Sequence, residues 1–213
     1  MTHLKSTILK AILAGFMISL GAMAYLGVED HTVGAFLFTI GLFTIYTMDL
    51  YLYTGKVGYM VQNKNYLQVV FIWLGNFVGA SFGALLVANC RMTTTTNIME
   101  HVEAYAITKT TDGYLSIFIL GILCGVMMFL AAESYKLTHD TVNSVGGYVG
   151  LFLCVMLFLL LGFEHSIANM FYFTLAGAWS VKAVIALLIV TLGNAVGGLG
   201  FNTILYFIRK EAH

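Results

Sequence analysis

Apolar residues fall in six long runs, at about 10–28, 33–53, 67–89, 114–132, 146–164 and 181–208, with the fifth resuming to about 176. Each approaches the ~20 residues a helix needs to cross the hydrocarbon of a bilayer. Short polar stretches separate the runs. The longest, NCRMTTTTNIMEHVEAYAITKTTDG at 89–113, has the composition of a solvated loop. No stretch is rich enough in Pro or Ser to divide domains. The pattern therefore predicts an all-α integral membrane protein, one transmembrane domain over 1–213 with six membrane-crossing helices.

The pattern also repeats. LGNFVGASFG at 74–83 in the third run is echoed by LGNAVGGLG at 192–200 in the sixth, a spacing of 118 residues. Both hold G-N-x-V-G, which puts two glycines four apart on one helix face, where backbones can approach closely. Three spans per half is an odd number, so the second half enters the membrane upside down. The chain is expected to be an inverted 3+3 repeat with halves 1–97 and 98–213. In such folds the solute pathway runs near the midplane, where helices are interrupted. The second and fifth runs are the interrupted ones: TMDLYLYTGK at 47–56 and GFEHSIANMF at 162–171 both set polar residues and Gly into apolar sequence. Thr54 and His165 lie 111 residues apart, close to the repeat period.

Composition agrees with lipid as the solvent. The chain is 60% hydrophobic and 9% charged, with a mean hydropathy of +0.89, against roughly 25% charged in soluble domains. The net charge of zero argues against a nucleic-acid partner. Three scattered cysteines, Cys90, Cys124 and Cys154, form neither a disulfide framework nor a metal-ligand pattern. No signal-peptide cleavage site, P-loop, HExxH, GxSxG or NPA pair is present, so no cofactor or metal is expected. With the N-terminus placed in the cytoplasm, Lys5, Lys10, Lys56, Lys64, Lys136, Arg209 and Lys210 lie inside and Arg91, Lys109 and Lys182 outside. The excess of inner Lys and Arg favours cytoplasmic termini.

An ionisable group within the bilayer costs several kcal/mol unless it faces protein or water. His165 is the cheapest to place, because its neutral form is tolerated there. Its position at a matched break makes it the leading functional residue. Glu164 reads as a cap of the broken helix, Asp49 and Lys56 as interfacial charges, Lys109 as a loop lysine, and Phe38 and Phe158 as core.

These residues resemble a known family. GFEHSIANMF is similar to the fifth-helix signature of the formate/nitrite transporters, pentameric bacterial anion channels with an aquaporin-like fold. LKSTILKAILAGFMISLG, LYLYTGK, LGNFVGA, LGILCGVMM and LGNAVGG follow the family's order along nearly the whole chain. The resemblance implies a role for each matched residue. His165 would be the central pore histidine, faced by a loop of Leu52, Tyr53 and Thr54. Leu42, Leu52 and Tyr53 would form the cytoplasmic constriction, and Phe38 and Phe158 the outer one. Lys109 would draw anions into the outer vestibule, with Glu164 and Asn169 as its polar support. The sequence departs from the family at Gly125, where Asn is frequent, and at Tyr53, where Phe is common and a hydroxyl is added at the constriction. A long N-terminal gating helix is not expected.

The implied partners are small monovalent anions, protons and the lipid bilayer, with the chain as a homopentamer in a bacterial inner membrane. A formate or nitrite ion crosses a ring of Leu and Phe only at a large desolvation cost. A proton passed from His165, directly or through Thr54 or water, removes most of that cost. Formate is the favoured substrate, followed by nitrite or hydrosulfide. Two other readings stay open at this point: an intramembrane enzyme using His165 with Ser166 or Glu164, and a membrane sensor or scaffold without a pore.

Overall fold

The computed structural model describes residues 2–139, 141 and 144–211, and all regular structure among them is helical. Among the described residues, four helices are long and apolar enough to cross a membrane: α1 (Thr2–Gly27), α5 (Tyr66–Ala88), α8 (Tyr114–Thr138) and α11 (Val181–Glu211). The second and fifth apolar runs are each split. The second becomes α2 (His31–Thr47) and α3 (Tyr53–Lys56), followed by a 3-10 turn at Val57–Tyr59 and α4 (Met60–Asn63). The fifth becomes α9 (Ser144–Leu160) and α10 (Ser166–Leu175). The stretch read as a solvated loop folds as α6 (Met92–Thr95) and α7 (Ile98–Thr111). Ile98, Val102, Ala106 and Lys109 form the buried stripe of α7.

Local chemistry stops the two broken helices in the same way. Gly162 ends α9 in a left-handed conformation, φ 68°; Phe163 N–H donates to the Phe158 carbonyl at 2.8 Å and Gly162 N–H to that of Leu159 at 3.1 Å. This satisfies carbonyls that a helix C-terminus would otherwise leave bare. In α2, 113 positions earlier, Asp49 takes the left-handed place at φ 48°, and Leu50 N–H reaches the Ile45 carbonyl at 2.8 Å. Three residues without regular structure follow each turn, 50–52 and 163–165, and the last of each, Leu52 and His165, is extended before helix resumes.

Each break is held open by an asparagine. Asn76 in α5 accepts from Tyr53 N–H at 2.8 Å and donates to the carbonyls of Ala11 and Tyr51 at 2.7 and 2.9 Å. Asn194 in α11 accepts from Ser166 N–H at 3.0 Å and donates to the carbonyls of Gly121 and Glu164 at 2.9 and 2.8 Å. Within lipid an unpaired peptide group costs several kcal/mol, so a break at membrane depth requires such partners. Both asparagines are fully buried.

The long helices pair through small residues. α1 lies along α2 and α5, and α8 lies along α9 and α11, while α2 meets α9 and α10 meets α5. Gly15 of α1 sits against the backbone of Asn76, and Gly125 of α8 against the backbone of Asn194. A side chain at either glycine would collide with main-chain atoms of the clasping residue. Gly125 is thus a packing residue in the α8–α11 contact. Asp30 begins α2, accepting from Thr32 and Val33 N–H at 2.8 and 3.0 Å. Those bonds, Val33's first, hold its carboxyl below the usual carboxylate range.

Candidate functional site

The two breaks bring Thr54 and His165 together at the centre of the molecule. Thr54 Oγ1 lies 3.0 Å from His165 Nε2, and both residues are buried. His165 is also the N-cap of α10: its Nδ1 accepts from Ala168 N–H at 3.1 Å. Nδ1 is therefore an acceptor, and the single proton of a neutral ring sits on Nε2, donated to Thr54. Both ring nitrogens are committed, so neither serves Ser166 as a base, although Ser166 is adjacent.

Two phenyl rings stand over this pair. Phe158 stacks on the imidazole, centroids 5.7 Å apart and planes at 27°, and Phe38 meets Phe158 edge-on at 5.7 Å and 85°. Leu42 and Leu52 are buried, and so is Tyr53. The Tyr53 hydroxyl donates to the Thr191 carbonyl of α11 at 3.1 Å. It is thereby committed to a neighbouring helix, so the expected addition of a hydroxyl to the constriction is corrected by that bond.

A cavity of about 240 Å³ opens beyond Phe158. Tyr25, Tyr105, Lys109, Glu164, His165 and Asn169 are among its walls. Lys109 Nζ donates to Glu164 Oε1 at 2.7 Å, and Asn169 Nδ2 donates to Glu164 Oε2 at 2.7 Å. The three side chains form a continuous buried chain without a contribution from position 125. Lys109 Nζ also stands 5.6 and 5.5 Å from the ring centroids of Tyr105 and Tyr172, within the range of cation–π attraction. The hydroxyls of Tyr25 and Tyr105 bond to each other at 2.9 Å. Among the described residues, no cluster of His, Cys, Asp or Glu is arranged to hold a metal ion.

All ten residues singled out from the sequence are buried. Contacts join Thr54, His165, Phe158 and Phe38 into one group and Lys109, Glu164 and Asn169 into a second. The adjacency of Glu164 and His165 links the two. The sequence reasoning missed Asn76 and Asn194, which shape both breaks. Their signal was present: Asn is the one polar residue repeated within G-N-x-V-G.

Comparisons with known proteins point in one direction. A sequence model of formate/nitrite transporters matches residues 1–208. The nitrite transporter NirC of Salmonella typhimurium is 33% identical over 176 residues, which cover 78% of this chain and 62% of that protein. The chain thus spans less than two thirds of the NirC length. The formate channel BtFdhC of Bacillus thuringiensis is 25% identical over 213 residues, covering 91% of this chain and 80% of the relative. A solved pentameric formate channel with formate bound superposes with a TM-score of 0.82 at 23% identity, covering 98% of each chain. At that identity the superposition speaks for the fold.

Proposed function

The chain belongs to the formate/nitrite transporter family, and from that premise we propose that it forms a transmembrane passage for small monovalent weak-acid anions, with formate first and nitrite or hydrosulfide next. The observation that carries this reading is the Thr54–His165 hydrogen bond where the two broken helices meet. Membership in a transporter family sets aside the enzyme reading, and the pore-less sensor reading leaves this junction without a purpose.

The mechanism follows from desolvation. An anion entering beside Lys109 meets a lysine already paired with Glu164, so it is drawn by the spare N–H donors of the ammonium group rather than by net charge. The next barrier is apolar, formed by Phe38 and Phe158 and then by Leu42, Leu52 and Tyr53. A bare ion loses its hydration there at a cost of several kcal/mol, and the neutral acid does not. Protonation therefore takes place in the wide cavity, where water can deliver the proton. His165 and Thr54 then act as neutral hydrogen-bond partners: Nε2–H donates to Thr54 Oγ1, and the threonine hydroxyl proton is offered to the permeant. An imidazolium would need a proton on Nδ1, against the Ala168 N–H that already points there. The proton leaves the acid on the far side.

The matched helix stops, clasps and glycine contacts support halves 1–97 and 98–213 related as an inverted repeat, with six crossings. The apolar helices and the bacterial relatives support a multi-pass protein of a bacterial plasma membrane, and the Lys and Arg distribution supports cytoplasmic termini. The pentameric formate channel of like fold supports a homopentamer. A flux panel on purified protein in liposomes, with formate, nitrite, hydrosulfide and acetate at two pH values, tests the reading. Faster flux of one of these at lower pH is expected, and no flux of any of them through intact protein overturns it.

A further inference from the structure

α11 is longer than a crossing requires. Its 31 residues rise about 46 Å, against the ~30 Å of a bilayer's hydrocarbon. Its far half grips the short helical segment that follows the second break. Residues 53–63 run through α3, the 3-10 turn and α4 without interruption, so Thr54 and Tyr59 share one helical stretch. Gly58 comes up against α11, where a side chain would meet the Gly198 carbonyl. Asn202, buried one turn further along α11, donates to the Gly58 carbonyl at 2.7 Å and to Gln62 Oε1 at 3.2 Å.

The last of these contacts is ionic. Glu133 of α8 is 4% exposed. Leu120, thirteen residues earlier in α8, accepts from Glu164 N–H at 3.3 Å. Glu133 therefore stands about 20 Å along that helix from the Lys109 site. Each of its oxygens has a partner: Arg209 Nη1 donates to Oε1 at 2.6 Å, and the Tyr59 hydroxyl donates to Oε2 at 2.5 Å. The Tyr59 ring lies 5.3 Å from that of Phe129, one turn back in α8, and the Lys136 ammonium group lies 4.8 Å from its centroid. The carboxylate thus joins three elements: α8, the last turn of α11 and the 3-10 turn after α3. A charge buried this deeply is tolerated only when paired, and removing one partner leaves it uncompensated.

We propose that Glu133 is a positioning residue for the second break. Through Tyr59 and Arg209 it fixes residues 53–63, and with them how closely Leu52 and Tyr53 narrow the passage and where Thr54 stands against His165. Glu133 acts through Tyr59 rather than on the permeant. The Thr54–His165 bond at 3.0 Å has little slack, since a separation of about 3.6 Å no longer counts as one. The inference deepens the transport reading and rests on it for what the barrier selects.

The test uses the full chain. Proteoliposome flux of formate and of L-lactate, a larger weak acid, reads the barrier, and hydrogen–deuterium exchange of the purified protein reads residues 53–63. Arg209→Gln and Tyr59→Phe each remove one partner of Glu133, Arg209→Lys keeps the charge, and Lys210→Gln serves as a control on the same turn. A lactate-to-formate flux ratio raised at least threefold, with exchange at 53–63 raised at least fivefold, in Arg209→Gln and Tyr59→Phe but not in Arg209→Lys or Lys210→Gln, supports the role. The double variant should gain less than the two single effects combined, because both act through one carboxylate. A merely structural role lowers the unfolding temperature and leaves the flux ratio where it was. An unchanged ratio in folded variants, or an equal rise with Lys210→Gln, overturns the proposal. If the parent protein carries neither acid and exchange still rises in those two variants alone, the transport reading fails and the positioning role stands. If the parent carries formate and both variants keep its flux ratio, the positioning role fails and the transport reading stands.

Discussion

His165 has one proton and two occupied nitrogens, and that fixes what its substitution should do. Removing Thr54 Oγ1 strands a buried Nε2–H, at about 1–3 kcal/mol. Thr54→Val should therefore lower formate flux severalfold, and Thr54→Ser should retain it, when rates are read by stopped-flow in proteoliposomes. Lys109 and Glu164 answer to a different rule. Breaking a buried ion pair from one side leaves the other charge uncompensated, at about 3–5 kcal/mol, whereas removing both charges is far cheaper. Glu164→Gln should accordingly unfold at a lower temperature in detergent than the double variant Lys109→Met/Glu164→Gln. Equal losses in the two would mean that the pair does not govern the site's stability.

At the scale of elements, the breaks matter more than the helices. Asn76 and Asn194 each serve one backbone donor and two backbone acceptors across a break. Replacing either by Ala orphans peptide groups at membrane depth and should cost at least about 2 kcal/mol, visible as a lower unfolding temperature and a larger aggregated fraction. Gly125→Asn, which restores the residue frequent in the family, should also destabilise, by about 1–3 kcal/mol, because the new side chain meets the Asn194 backbone; a stability equal to the parent's would contradict the packing role. The apolar runs and the two interruptions were legible in the sequence, since run length and misplaced polar residues are read directly. The clasping role of Asn76 and Asn194 was not, because G-N-x-V-G draws the eye to its glycines and a hydrogen bond to a distant backbone leaves no local pattern. α7 was hidden by its polar composition, although Ile98, Val102, Ala106 and Lys109 keep helical spacing. A pore role for Lys109 came only from the family resemblance, and its burial only from the structure. Charge alone assigned it to solvent, as it assigned Lys56 to an interface.

At the scale of the whole molecule, the two breaks match in backbone but not in chemistry. Leu52 and His165 are each the extended residue before helix resumes, yet only His165 carries an ionisable side chain there, and Thr54, two residues after Leu52, supplies its hydrogen-bond partner. Large apolar side chains cover the outer faces of the spans, Leu67, Leu153 and Val181 among them, and require lipid or a neighbouring subunit. Native mass spectrometry should find five copies of the 23.3 kDa chain together; a monomer at the concentrations that support flux would contradict the pentamer. The central claim is that the neutral acid crosses at the Thr54–His165 junction. The measurement that tests it most directly is formate flux in proteoliposomes across a pH series, with the parent protein beside His165→Ala. The protonated fraction of a weak acid well above its pKa rises about tenfold per unit fall in pH. The parent flux should climb with it until it saturates, and His165→Ala should keep that rise at low pH, which the acid itself sets, but carry less formate or lose its selectivity for formate while remaining assembled. Identical flux from the two proteins at every pH, with the variant shown to be folded, would contradict the account.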